Sequence, residues 1–450
     1  MSGDPKIVAL GAGSAGFNLV TLGDILKNKN FDKGTLYMVD IDEHKLKMVH
    51  SLAKRIKNEF GSKMELVSTS NRYEVLPDAD YIILIIGINR DDTWSKDYEL
   101  GKNFGIYHYA ENGGPGSFGH TARNIAVLMP VFNDIQDLAP DSWMINFTNP
   151  LPRIHYAINE LTSLKCISFC HQFWHGHYIL GRLMLPDLQK RIGNDKISNY
   201  QDIRNASLKE YDILAAGLNH FSWMLDIKRK GTDEDIYPLI WANLDQVPKK
   251  FEALTIRMLK TFKKLLVGGE THISEYLPYT TKKENWDKYN LYPFNFQENK
   301  ENKIKNMKKI QDMINYKLPL SHLHSDVAER IATIIDSIET NANVYEPALN
   351  IENNGCITNL SSDAIVEVPC LLNRFGASGV RIGSLPEPIA AICNQEISIA
   401  KLITQGSIKG DIDLITQAFA LDPMVRDLEL AEILTNAYVE AFKAELPQFK

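Results

Sequence analysis

A short apolar run, Lys6-Ile7-Val8-Ala9-Leu10, passes directly into Gly11-Ala12-Gly13-Ser14-Ala15-Gly16, followed by Leu19, Leu22 and Leu26 at helical spacing. No other stretch limits the possible folds as much. Three glycines at fixed offsets between a strand and a helix allow a tight turn, close approach of backbone to a ligand, and close helix–strand packing. The free N–H groups at the helix start then favour a phosphate. A second strand, Thr35-Leu36-Tyr37-Met38-Val39, ends at Asp40, about the right distance on. A carboxylate there accepts hydrogen bonds from an adenosine ribose and repels a 2′-phosphate. The pattern predicts an NAD site made by Gly11, Gly13, Ser14, Ala15, Gly16 and Asp40. Asp42 reads better as the cap of the next helix.

The same alternation continues. Residues 43–59 have the spacing of a charged amphipathic helix, and Tyr81 to Ile86 reads as a buried strand. Ala122 to Leu138 reads as a helix, and Trp143 to Phe147 as a strand stopped by Thr148-Asn149-Pro150. Strands and helices joined by short links predict an α/β chain with a doubly wound parallel sheet, a Rossmann-type domain, over residues 1–190. An α+β lobe for substrate, metal and oligomer contacts is expected over 191–450. At 450 residues the chain exceeds one ordinary core. Residues 281–318, rich in Lys, Asn and Glu, read as a solvated helix or a mobile excursion without catalytic part.

A formal net charge of -7 argues against nucleic acid as a partner. No run approaches ~18 apolar residues, so no membrane span is expected. The first residues lack a signal-peptide layout, which makes the cytoplasm the expected location. Cys166, Cys170, Cys356, Cys370 and Cys393 are an odd set, read as free thiols with one possible metal ligand.

Cys170-His171, about fifty residues before Asn219-His220, carries the chemistry. A thiolate and an imidazole suit a divalent transition metal. Asn146-Phe147-Thr148-Asn149-Pro150 closes a strand at the edge where open α/β sheets bind ligands, and its amides offer donors and acceptors to hydroxyl groups. His175 and His177 follow His171, and residue type alone does not choose among the imidazoles. For any single one of these residues a packed thiol or a satisfied histidine is an equal account.

Taken in order, the motifs resemble glycoside hydrolase family 4, the NAD- and Mn-dependent glycosidases on a lactate/malate dehydrogenase-like fold. The resemblance rests on Gly11–Gly16, Val39–Asp42, Gly113-Gly114-Pro115-Gly116, Asn146–Pro150, Cys170-His171 and Gly217–Trp223. It continues through Gly269–Tyr276, Val366–Cys370 and Gly383–Pro386, nearly the whole chain. It implies Cys170 and His220 as ligands of Mn(II) or another divalent metal. Asn149, with His171, Asn219 and His272, is implied to contact the sugar. By the same resemblance the C2 base would be Tyr276, slightly favoured, or Glu270, and the acid would be His171 or a metal-bound water.

The chemistry implied is not that of paired carboxylates. NAD oxidises C3 of the sugar, the metal stabilises the enediolate formed when a base removes the C2 proton, and the aglycone is eliminated. Water then adds and hydride returns. His171 after the cysteine, where phospho-sugar members carry Asp or Asn, implies an unphosphorylated α-glycoside. The run Glu270–Pro278 looks most like the α-galactosidase branch, with α-glucosidase and α-glucuronidase open. Relatives imply a homodimer or homotetramer. Two other readings are a 2-hydroxy-acid dehydrogenase, for which no His-Gly-Asp run is present, and a non-catalytic NAD sensor, which needs no metal.

Overall fold

The computed structural model describes residues 4–14, 21–87, 90–193, 197–323 and 330–450. Six parallel strands form its first half: β1 (Lys6–Leu10), β2 (Thr35–Val39), β3 (Glu65–Thr69), β4 (Tyr81–Leu84), β5 (Trp143–Asn146) and β6 (Lys165–Ser168). Their spatial order is β3-β2-β1-β4-β5-β6, that of dinucleotide-binding sheets. A strand covered by helices on both faces needs apolar residues throughout, and all four residues of β4 are buried. The helix Glu43–Phe60 turns Leu46, Val49, Leu52, Ala53 and Ile56 inward at three- and four-residue spacing. Asp42 caps it, accepting from His44 N and Lys45 N, and Gly61 ends it in the left-handed region. The cap reading of Asp42 therefore holds. The helix after the glycine turn is described from Leu22; Ala15, Gly16 and Leu19 lie outside the described residues.

The second half adds β7 (Tyr211–Leu218), β8 (Phe221–Arg229), β9 (Leu265–Leu266), β10 (Val344–Glu352), β11 (Ile365–Asn373) and β12 (Gly376–Gly379). These pair antiparallel, and the sheet runs on from β6 through β10, β11, β7 and β8 to β9. The joints are narrow: Asn350 opposite Ser168, and Glu367 opposite Gly217. That continuity brings the β7–β8 hairpin beside the end of β6. The helix Gln172–Leu183 buries Phe173, Trp174, Ile179 and Leu180 in a core shared with Tyr211, Met224 and Leu265. The long helix Glu387–Lys409 returns to pack on the helices Gly114–Leu138 and Leu151–Leu161.

Within 281–318, the helix Phe296–Ile314 exposes most of its length but buries Ile310 and Met313. Arg55 ties the following turn down, donating to Leu318 O at 2.9 Å and lying 4.3 Å from the Tyr316 ring centre. It is the solvated helix, docked on Glu43–Phe60, rather than an excursion. Among the described residues no helix is long and apolar enough to cross a membrane.

Candidate active site

The C-terminal ends of β1, β2, β4, β5 and β6 share one edge. At the first crossing, Gly11 N and Ala12 N donate to Val39 O at 2.9 and 3.0 Å. Gly11 has φ +88°, and a Cβ there would stand 2.4 Å from Ile85 O, so only glycine lets the turn sit on β4. Asp40 closes the turn from β2: Oδ2 accepts from Gly13 N at 2.8 Å and Oδ1 from Asp42 N at 2.9 Å. Ser14 N donates to Gly11 O at 3.2 Å. Beside Asp40, Ile41 is 94% exposed, an apolar surface without protein cover.

The second centre lies at the ends of β6 and β7. Leu218 pairs with Phe221, which leaves Asn219-His220 as the tight turn of the hairpin. His220 has φ +63°, a conformation uncommon for a non-glycine residue, and this aims the imidazole back at β6. Its Nε2 lies 3.2 Å from Cys170 Sγ. Metal bonds of about 2.3 Å to sulfur and 2.1 Å to nitrogen put two ligands at right angles about 3.1 Å apart. The pair therefore fits adjacent positions around one ion. Burial, with Glu367 adding to it, pushes the Cys170 thiol up to about 12. A bound cation reverses that balance and makes the sulfur a thiolate.

Glu111 and His272 complete the cluster. Glu111, His220 and His272 each bring one ligand atom within 4.8 Å of the others. His272 Nδ1 is 3.4 Å from Glu111 Oε2, and the two imidazole rings are 4.5 Å apart. Asn149 Nδ2 donates to Glu111 Oε1 at 3.1 Å, so the Asn149 turn faces the same centre.

A shell of polar groups holds this centre. Asn112 Nδ2 lies 2.8 Å from His220 Nδ1, while Asn112 Oδ1 is buried without a partner. The two ends of an amide have the same shape, so a half-turn of Asn112 sets Oδ1 on an Nδ1–H. That is the tautomer that leaves His220 Nε2 for a metal. Glu367 accepts from Asn219 Nδ2 at 3.1 Å, Asn350 Nδ2 at 3.0 Å and Ser222 Oγ at 2.7 Å, which fixes the hairpin tip. Glu275 Oε1 accepts from the backbone N–H of Glu111 at 2.6 Å, Asn112 at 3.0 Å and Gly113 at 3.3 Å. Burial, and then Glu111, push its carboxyl up to about 8 against those bonds.

The two base candidates separate in space. Tyr276 is buried against the hairpin, its ring tilted on Phe221 and its hydroxyl donating to Asn219 O at 3.2 Å. Burial, with Glu275 next, holds that phenol well above its ordinary range. Glu270 turns to the start of the helix Ala253–Phe262, where Oε2 accepts from Leu254 N at 3.3 Å. Its own N–H donates to Glu252 Oε2 at 3.0 Å. Burial and the Glu252 charge push Glu270 up to about 8. Its hydrogen bonds serve a helix end rather than the Cys170 cluster. His171 is exposed at the rim, capping position of the helix Gln172–Leu183 and adjacent to Cys170.

Sequence reasoning left out Glu111, Asn112, Glu275 and Glu367 as individual residues. Each adjoins a motif already singled out, and that adjacency was the available signal: Glu111-Asn112 precedes Gly113–Gly116, Glu275 precedes Tyr276, and Glu367 lies within Val366–Cys370.

Fold and site together define a class, an α/β enzyme that sets a dinucleotide turn and a thiol–imidazole centre on one sheet edge. The family 4 glycosyl hydrolase model matches residues 6–183, and the family 4 glycosyl hydrolase C-terminal domain matches 215–425. The chain belongs to the family 4 glycosyl hydrolases. An alpha-galactosidase of Bacillus subtilis (strain 168) is 27% identical, over 99% of this chain and 100% of the relative. An alpha-glucosidase of Erwinia rhapontici is 26% identical over 93% of each. Among solved structures, a 6-phospho-alpha-glucosidase from gut microorganisms in complex with NAD and Mn2+ has TM-score 0.80 and 19% identity, over 99% of this chain and 100% of that one.

Proposed function

We propose that the chain hydrolyses O-glycosidic bonds in unphosphorylated, neutral α-glycosides, α-galactosides first, with NAD and a divalent metal, Mn(II) first. The observation that carries the substrate class is the charge of the site. Among the described residues, the side chains meeting around Cys170 and His220 are carboxylates, amides and imidazoles: Glu111, Asn112, Asn149, Asn219, His272 and Glu275. A phosphate dianion finds no Lys or Arg among them. Arg153 lines a cavity together with Tyr276 and donates to the hydroxyls of Ser117 and Thr121. The same lining works against a uronic acid, and against the carboxylate of a 2-hydroxy acid. α-Glucosides, and then α-glucuronides, are the alternatives within the family.

The donor set supports both cofactors. Asp40 is held where a ribose would reach it, and the bare Ile41 surface beside it suits an adenine ring. Cys170 and His220 would hold the metal, with Glu111 and His272 at its side. When bound, NAD supplies a reversible hydride acceptor at C3 and the metal a Lewis acid for the C2 and C3 oxygens. The chain's own residues then do the rest. Asn149 and Asn219 orient hydroxyls, Glu367 fixes Asn219, and Tyr276 is the better placed C2 base. His171, exposed beside Cys170, faces the leaving group.

A substrate panel tests the reading. With NAD, Mn(II) and a thiol reductant, kcat/KM is expected to be highest for nitrophenyl α-galactoside, lower for the α-glucoside, and lowest for the α-glucuronide and the 6-phospho-sugars. Preference for a 6-phospho-sugar would overturn the substrate class.

A further inference from the structure

The helix Gln172–Leu183 starts beside Cys170 and leads away from it. Along this helix and its cap, only His171, His175, Tyr178 and Arg182 are not buried. A spacing of four, three and four residues puts them on one face. His175 and Tyr178 stand about 6 and about 10 Å along the axis from His171. Gly268-Gly269 ties this face to the hairpin that carries His220. A Cβ on Gly268 would stand 2.6 Å from His220 O, and one on Gly269 would stand 3.3 Å from His175 Nε2. The open face therefore begins at the rim of the site, and a glycine keeps the space beside His175 clear.

Two other elements wall that face. Tyr200, 40% exposed at the start of the helix Tyr200–Glu210, sets its ring 4.4 Å from that of Tyr178. It also lies nearly parallel to His175 at 6.0 Å, with its hydroxyl 3.2 Å from His175 Nδ1. Phe251 stands edge-on to Tyr178 at 6.1 Å, and the Arg182 guanidinium lies over the Phe251 ring at 5.2 Å. Helix packing accounts for the rings but not for their neighbour Glu252. This residue has φ +43° and ψ +49°, left-handed backbone that is costly for a side chain of its kind. Its Oε2 accepts from Glu270 N at 3.0 Å and Thr255 Oγ1 at 3.1 Å. Its Oε1 takes no hydrogen bond from the described residues and lies 3.7 Å from His175 Nε2. An open carboxylate oxygen is thus held at the edge of an aromatic surface.

That pairing matches a second sugar ring. A pyranose presents a face of C–H groups, which packs on aromatic rings, and an edge of hydroxyls, which donate to a carboxylate. We propose that Tyr200, Tyr178, His175 and Glu252 form an aglycone subsite for a neutral hexopyranose, so that the substrate is an α-galactosyl oligosaccharide rather than a simple alkyl or aryl galactoside. The subsite rests on the reading of the Cys170–His220 centre as the place of the galactosyl ring. The glycosidic oxygen then lies near His171, and the leaving sugar continues along the open face. Tyr200 and Tyr178 carry its C–H face, and Glu252 Oε1 accepts from its hydroxyls. A carboxylate in this position works against an acidic leaving sugar.

The test compares α-galactosyl-1,6-glucose with methyl α-galactoside, which has no second ring, on the enzyme with NAD and Mn(II). Wild type is expected to favour the disaccharide in kcat/KM by about tenfold or more. Tyr200→Ala and Glu252→Gln are each expected to lower the ratio of the two kcat/KM values by about tenfold, the worth of one stacking contact or one charged hydrogen bond. Tyr200→Phe, which keeps the ring, is expected to preserve the ratio. A wild-type enzyme with no preference for the disaccharide would overturn the subsite. So would equal losses on both glycosides in Tyr200→Ala and Glu252→Gln, which mark a packing role. If wild type hydrolyses neither galactoside, the galactosidase reading fails and takes the subsite with it, whereas turnover of both at equal rates sinks the subsite alone.

Discussion

Cys170 and His220 stand fifty residues apart in sequence and 3.2 Å apart in the fold, and Asn112 and Glu367 hold the hairpin tip that carries His220. Cys170→Ser replaces a soft ligand with a harder, weaker one while keeping the shape of the turn. The variant is expected to lose metal-dependent turnover and to bind NAD as wild type does, measured by fluorescence titration with NAD and by rate against Mn(II) concentration. Full activity would make Cys170 a packing residue. At this scale the sequence was legible where residue type is rare and its place is punctuated. A cysteine and a histidine just past strand ends, an Asn-Pro turn and an acid after β2 all stand out. Glu111, Glu275 and Glu367 did not, because a carboxylate is an ordinary surface residue until burial and partners give it a role. Glu270 shows the converse. It belongs to a motif of the family run, yet its carboxylate serves the helix Ala253–Phe262.

That helix end gives a test at the scale of the element. Glu270 has an ordinary value of 4.5 and is held at about 8 in the fold. Its raised value means that the native state binds the proton more tightly than the unfolded chain does. Its contribution to stability is therefore complete below about 4.5 and is lost as pH rises toward about 8. Glu270→Gln keeps an acceptor for Leu254 N and removes the ionisation. Urea denaturation at pH 5, 6.5 and 8 is expected to show a flatter pH dependence for the variant, with its advantage over wild type growing toward pH 8. Turnover should survive, since Tyr276 and not Glu270 lies against the hairpin; parallel pH curves, or an inactive variant, would contradict this. Elements with strong periodicity were legible to within a few residues: β1, β2 and the helix Glu43–Phe60 sit where their spacing put them. The helix predicted from Ala122 begins at Gly114, because Gly114-Pro115-Gly116 looks like a breaker but occupies a helix start.

Over the whole molecule, the site exists because the two halves of the chain share one sheet. β6 meets β10 at Ser168, and β11 meets β7 at Gly217, so Cys170 and His220 arrive from opposite sides of the joint. None of these long-range meetings is written in local spacing. A strand-to-strand contact of a single residue pair leaves no periodic trace, and for residues 281–318 the docking depends on four scattered buried side chains, Trp286, Leu291, Ile310 and Met313, and one arginine. What the order of motifs carried was the family and the parallel sheet; what it could not carry was the polar shell that only folding assembles. The central claim is that both centres serve one reaction, with NAD regenerated in each turnover. Release of nitrophenol from nitrophenyl α-galactoside, followed with NAD and Mn(II) each present or withheld, tests it most directly. Turnover that requires both, with no net accumulation of NADH, is the predicted result. Hydrolysis that proceeds at full rate without either would contradict it.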